Sequence, residues 1–175
     1  DYCYPTQSQR ITSRFGIRGS RFHSGIDVGV QYGDTIRTPF SGTVRYVAYQ
    51  RGGYGRYLII RHDNGLESVM AHFSRTLVNT GDTIAAGTPV GLGGSTGRST
   101  GPHLHLEFRF LGNAFNPEKL IDFNTFSINT QEDGNYLMTI ADTYSHRPQL
   151  EEMKRAAYHR VRSGETLSHI AKRYG

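Results

Sequence analysis

The chain has 175 residues, 36% hydrophobic and 20% charged, enough for one buried core and a small appendage but not for a large multidomain assembly. Twenty Lys and Arg against 15 Asp and Glu give a net charge of +5, a balance that argues against wholesale disorder and biases only weakly toward anionic partners. No run approaches the length of about eighteen apolar residues that a membrane helix needs, and no basic-then-apolar leader opens the chain.

A chain that begins at Asp1 reads as processed or as a piece of something longer. Its one cysteine, Cys3, excludes an internal disulfide framework and a cysteine-based structural zinc site. Any metal must therefore rest on histidines and carboxylates, and Cys3 reads as a free or externally paired thiol without a role.

Twenty-one glycines against six prolines, with β-branched and aromatic runs between them, predict short strands joined by tight turns, all-β over the first hundred or so residues. Early in the chain His23 and Asp27 lie four residues apart. A helix is disfavoured by Gly25 between them, and a straight strand would separate the two side chains by roughly 13 Å. A bend near Gly25 brings both heads together. Residues 43–49 read as a strand and 51–55, rich in glycine around Tyr54, as a loop. Residues 58–62 and 66–70 flank Asp63-Asn64-Gly65, the strongest short hairpin signal available. Residues 83–90 read as a strand interrupted at Gly87-Thr88-Pro89, and 91–101 as a Gly, Ser and Thr loop.

Residues 103–110 alternate with period two. His103, His105 and Glu107 share one face and Leu104, Leu106 and Phe108 the other, so the apolar face should meet the core and leave two imidazoles pointing into one volume. Glu107 lies about 6 to 7 Å beyond His105 along the strand, which suits a supporting carboxylate better than a metal ligand. His62 reads as a solvated turn residue beside Asp63. After residue 122 the texture becomes polar: 123–157 read as extension and linker, with a short helix over 149–157 after Pro148. Residues 158–175 read as a strand, a Ser163-Gly164 turn and a helix, too little to bury a core alone and so the start of a second, truncated module.

Phe22-His-Ser-Gly-Ile-Asp-Val-Gly29, then Met70-Ala-His72, then Gly101-Pro-His103-Leu-His105 resembles the lysostaphin-type zinc metallopeptidases, peptidoglycan endopeptidases. Flanking words extend the resemblance over roughly residues 10–120: Ile11-Thr-Ser-Arg-Phe-Gly16, the Gly81-Asp82-Thr83 turn and Gly94-Ser-Thr-Gly-Arg-Ser-Thr-Gly101. It implies that His23, Asp27 and His105 hold one Zn2+ with an open fourth position, and that His72 and His103 are catalytic. A Walker lysine and following helix are missing after 91–101, so that loop reads as cleft-shaping rather than phosphate-binding. Tyr54, Ser99 and Thr100 are then expected to line the substrate groove.

The resemblance further implies an extracytoplasmic bacterial enzyme that hydrolyses the peptide cross-links of peptidoglycan. The expected fold is mainly β, a compact antiparallel β-sheet peptidase domain with groove-lining loops over 1–122, plus a C-terminal extension with short helices over 123–157. Residues 158–175 resemble the start of a LysM module, which when complete would bind glycan strands. A monomer without nucleic-acid partner or membrane span is expected. The rival reading, a catalytically inactive binding or hydrolase-activating module, expects lost metal ligands, and none is lost here.

Overall fold

Short strand-forming runs, set apart by glycine turns, assemble into antiparallel sheets in the computed structural model, which describes residues 1–130 and Glu151. The N-terminal strands are β1 (Ile11–Ser13), β2 (Gly16–Arg18), β3 (Arg21–His23), β4 (Ile26–Gly29) and β5 (Thr35–Arg37). The central ones are β6 (Gly42–Gln50), β7 (Gly55–His62), β8 (Glu67–Phe73) and β9 (Arg75–Thr76). They are followed by β10 (Thr83–Ile84), β11 (Pro89–Leu92), β12 (His103–Phe110), β13 (Asn113–Phe115), β14 (Ile121–Asp122) and β15 (Ser127–Ile128). The main sheet has the order β1-β4-β12-β8-β7-β6-β10, with β13 also paired to β12. The mainly β, antiparallel architecture expected from the sequence is what is observed. The predicted helix over 149–157 and the module over 158–175 lie outside the described residues, Glu151 apart.

Period-two patterning divides this sheet into two faces. Ile26 and Val28 on β4, Leu104, Leu106 and Phe108 on β12, Met70 on β8 and Leu58 and Ile60 on β7 belong to the same buried cluster. Phe73, Ile36 and Val90 join them, so the small β5-β11-β9 sheet covers the core side. The opposite face carries Asp27, His105 and Glu107. Burial of the apolar side chains is the dominant stabilising term, at about 25 cal/mol per Å².

Two predicted elements need correction. The interrupted strand at 83–90 is two strands in different sheets: β10 pairs with β6, whereas β11 pairs with β5 and β9. Gly91 and Leu92 continue β11 rather than beginning the loop. The break falls at 85–88, where Gly87 adopts φ +81° and turns the chain from one sheet to the next. His62 is the second correction. It is buried, not solvated: its Nε2 lies 2.8 Å from Ser68 Oγ and its Nδ1 3.2 Å from the Ser41 carbonyl. Burial pushes its pKa down to about 4, against smaller upward pulls from the backbone of Ser41 and Phe40.

Candidate active site

Asp27 and His105 are placed by register. They sit directly opposite one another across the antiparallel β4–β12 pair, where facing side chains come closest, and Asp27 Oδ1 is 2.8 Å from His105 Nδ1. His23 ends β3, and the Ser24-Gly25 bend returns the chain into β4 so that His23 Nε2 lies 3.0 Å from both Asp27 Oδ1 and His105 Nδ1. The bend passes so close to β12 that a Cβ on Gly25 would stand 2.5 Å from the Leu106 carbonyl oxygen and 2.9 Å from His105 Cε1. The pivot expected at Gly25 is therefore where the chain turns, and only glycine fits.

His72 reaches the same volume by a different device. Strand alternation would send it to the core face, because Ala71 pairs with His105 and so occupies the site face. The β7–β8 register shifts here: Tyr57 pairs with Ala71 and Arg56 with Phe73, leaving His72 as the extra residue of a bulge, at φ +67°. Bulges re-aim side chains beside functional sites. This one swings the His72 ring to within 4.5 Å, centroid to centroid, of His103 and returns Phe73 to the core. A non-glycine residue in the left-handed region costs on the order of 1 to 3 kcal/mol, so the fold holds His72 in place against a local preference.

Each imidazole is oriented from behind. His23 Nδ1 donates to the Arg14 carbonyl (2.8 Å), His72 Nδ1 to Thr96 O (2.8 Å) and His103 Nδ1 to Gly101 O (2.8 Å). His105 is turned the other way, its Nε2–H donating to Glu107 Oε1 at 3.0 Å. The donated N–H fixes the tautomer, so His23 Nε2 and His105 Nδ1 carry lone pairs where they converge with Asp27 Oδ1. Three such atoms within 3.0 Å of one another repel unless a metal ion or a bound proton lies among them.

The set fits a zinc ion. Two imidazole nitrogens and a carboxylate oxygen suit the metal, and a tetrahedral centre with bonds of about 2.0 to 2.1 Å separates its ligand atoms by only a little more than this. His23, Asp27 and His105 form a buried cluster able to hold a metal.

Glu107, expected to be a supporting carboxylate, is fully buried behind His105. It accepts hydrogen bonds from Ser24 Oγ (2.6 Å), the Tyr54 hydroxyl (2.7 Å) and Arg109 Nε (2.8 Å) as well as from His105. Tyr54 therefore serves two sides, lining the cleft and buttressing Glu107. Burial, reinforced by Glu107, raises its pKa to about 12, keeping the hydroxyl a donor.

Charge in this cluster is set by partners rather than by burial alone. Burial opposes ionisation of Asp27 and Glu107, but hydrogen bonds and charges from the histidines, with Arg109 for Glu107, outweigh it; Glu107 falls to about 2 and Asp27 lies well below the usual carboxylate range. Burial likewise opposes a charged His105, and the two carboxylates overcome it, raising its pKa to about 9. His72 goes the other way. Burial lowers its pKa to about 4, despite the Thr96 carbonyl.

A cleft of about 670 Å³ opens over these residues. Its walls include Tyr54, Ser99 and Thr100 beside His23, Asp27, His72, His103 and His105, so the eight residues expected at the site from the resemblance lie together. Ser99 Oγ also lies 3.2 Å from His103 Nδ1. Sequence reasoning missed Arg18, Arg21 and Arg98, which line the same cleft, and the buttressing by Ser24 and Arg109; Arg109 was signalled only by continuing the alternation of 103, 105 and 107.

The model of Peptidase family M23 matches residues 21–117, more than half of the chain and all of the converging residues. The chain belongs to peptidase family M23. An uncharacterized metalloprotease of Haemophilus influenzae is 44% identical over 122 residues, 65% of this chain and 26% of that protein. The DD-carboxypeptidase/endopeptidase Mpg of Neisseria meningitidis is 40% identical over 119 residues, 65% of this chain and 27% of that protein. The chain thus spans about a quarter of the length of these curated relatives. A zinc-containing peptidase from Vibrio cholerae superposes with a TM-score of 0.61 at 28% identity, covering 66% of this chain and 39% of that one. Residues 159–175 match the LysM domain model. No helix among the described residues is long and apolar enough to cross a membrane.

Proposed function

We propose that this M23 member is a zinc-dependent endopeptidase that hydrolyses the peptide cross-links of bacterial peptidoglycan outside the cytoplasm. The observation that carries the reading is the buried convergence of His23 Nε2, Asp27 Oδ1 and His105 Nδ1 within 3.0 Å of one another, with His72 and His103 beside it. These three residues would hold the zinc, which lowers the pKa of water and polarises a carbonyl.

The remaining chemistry belongs to the chain. With Nδ1–H donated to Gly101 O, His103 presents its Nε2 lone pair toward the site, 3.8 Å from Asp27 Oδ1. It accepts the proton of the attacking water as the water oxygen bonds to the amide carbon, and the resulting imidazolium returns that proton to the amine nitrogen when the C–N bond breaks. His72, likewise tautomer-fixed and held neutral at physiological pH, borders the same space as the second proton-handling group. Tyr54, Ser99 and Thr100 bound the groove in which the peptide lies.

By this reading residues 1–122 form the catalytic unit, 123–157 an extension, and 158–175 the beginning of a LysM module that, once complete, holds glycan strands. The name of a Vibrio cholerae relative 35% identical over 120 residues, peptidoglycan DD-endopeptidase ShyC, supports a cell-wall substrate. The test is digestion of purified sacculi with released peptides read by mass spectrometry. Cross-link cleavage by the wild type, falling by about 10²- to 10⁴-fold in His103→Ala and His72→Ala, is expected. Unchanged turnover in either variant would remove that residue from the chemistry, and intact sacculi with the wild type would favour a binding or activating module.

A further inference from the structure

Three guanidinium groups face the cleft without an equal number of carboxylates. Arg18, Arg21 and Arg98 line it, and Asp27 is the sole acidic residue among its lining residues. Asp27 is already engaged through Oδ1 with His23 and His105. Arg18 is tethered, its Nη1 donating to Ser13 Oγ at 2.7 Å and standing 3.6 Å from Asp27 Oδ2. The side chains of Arg21 and Arg98 make no ion pair with a described residue. Arg18 and Arg21 are moreover direct cross-strand partners in the β2–β3 hairpin, an arrangement in which like charges destabilise. The fold gains nothing from that pairing, and both residues are exposed where solubility is served equally well by separated charges.

We propose that this arginine rim selects peptides carrying free carboxylates close to the scissile amide, in preference to neutral bridges of the oligoglycine kind. The inference deepens the endopeptidase reading and rests on it. Guanidinium groups bind carboxylates through paired, charge-assisted hydrogen bonds, and an uncompensated positive cleft raises the encounter rate of anionic ligands. Arg98 comes from a part of the chain remote from the β2–β3 hairpin and is fixed by its backbone N–H donating to Gly53 O at 2.8 Å. Two separate segments therefore supply the charge, so carboxylates on different residues of one peptide can be met at once.

The experiment compares two synthetic cross-linked peptides, identical except that the carboxylates of one are amidated. Both are presented to the full chain and to the Arg21→Gln/Arg98→Gln double variant, at low and high salt. Arg18 is left intact because it approaches Asp27. Zinc content and melting temperature verify that the double variant is folded. The wild type is expected to cleave the free acid with about tenfold higher kcat/KM, a preference that shrinks with salt and falls to near unity in the double variant. Equal kcat/KM for the two peptides with the wild type overturns the selection while leaving the peptidase reading intact. Cleavage of neither peptide by the wild type overturns the peptidase reading, and the inference with it.

Discussion

Glu107 Oε1 lies 3.0 Å from His105 Nε2, on the far side of the imidazole from Asp27. A residue two positions along the same strand face thus decides which nitrogen of His105 meets the converging donors. Carboxylates in this position orient metal-binding histidines and raise their basicity. Glu107→Ala is expected to weaken zinc affinity by about 10- to 100-fold, and to destabilise the fold by about 3 kcal/mol because Arg109 loses its buried partner. Glu107→Gln, which keeps an acceptor for His105, should lose less. Zinc competition against a chromogenic chelator measures the order; equal affinity in all three proteins would show that the contact does not orient the ring.

Gly25 tests whether the bend itself builds the site. An added Cβ would meet the Leu106 carbonyl at 2.5 Å and, at 2.9 Å, Glu107 Cγ and His105 Cε1, two buried side chains already held by their hydrogen bonds in the site. Gly25→Ala is expected to destabilise by about 1 to 3 kcal/mol and to lower zinc stoichiometry, measured by thermal melts and elemental analysis. Wild-type values for both would mean the bend has slack that the structure does not show.

The bulge at His72 separates strain from chemistry. His72→Gly and His72→Ala both remove the imidazole, but only glycine occupies φ +67° without a Cβ penalty. The glycine variant should be more stable than the alanine variant by about 1 kcal/mol, with turnover lost in both. Denaturant midpoints check this, and an alanine variant as stable as the glycine one would contradict it.

Much of this site can be read from sequence because it follows from periodicity. Alternation along 103–110 places His103, His105 and Glu107 together, and the glycine between His23 and Asp27 reveals their bend. His72 is different: its arrival depends on a register slip between Arg56 and Tyr57 on a neighbouring strand, and nothing local to Met70-Ala71-His72 announces it. His62 was misread for the same kind of reason, since its environment is made by Ser41 and Ser68, one of them remote in sequence. Tyr54 reaching Glu107, 53 residues away, is a tertiary contact that no spacing encodes.

His62 also gives the fold an acid sensitivity separate from the site. Its pKa is about 4 in the folded protein against an ordinary value of 6.5, so between those values the unfolded chain binds the proton and the folded chain does not. Stability therefore falls as pH drops from about 6.5 to 4, by roughly 3 kcal/mol from this residue. His62→Gln should show a smaller difference in denaturant midpoint between pH 7 and pH 4.5 than the wild type. An unchanged difference would mean that His62 is protonated without cost.

The most direct measurement is zinc content by elemental analysis, paired with digestion of purified cell walls by the wild type and His105→Ala. One zinc per chain and released cross-link peptides, both lost in His105→Ala, are predicted. A wild-type protein that binds no zinc, or a His105→Ala variant that still cleaves, would contradict the account.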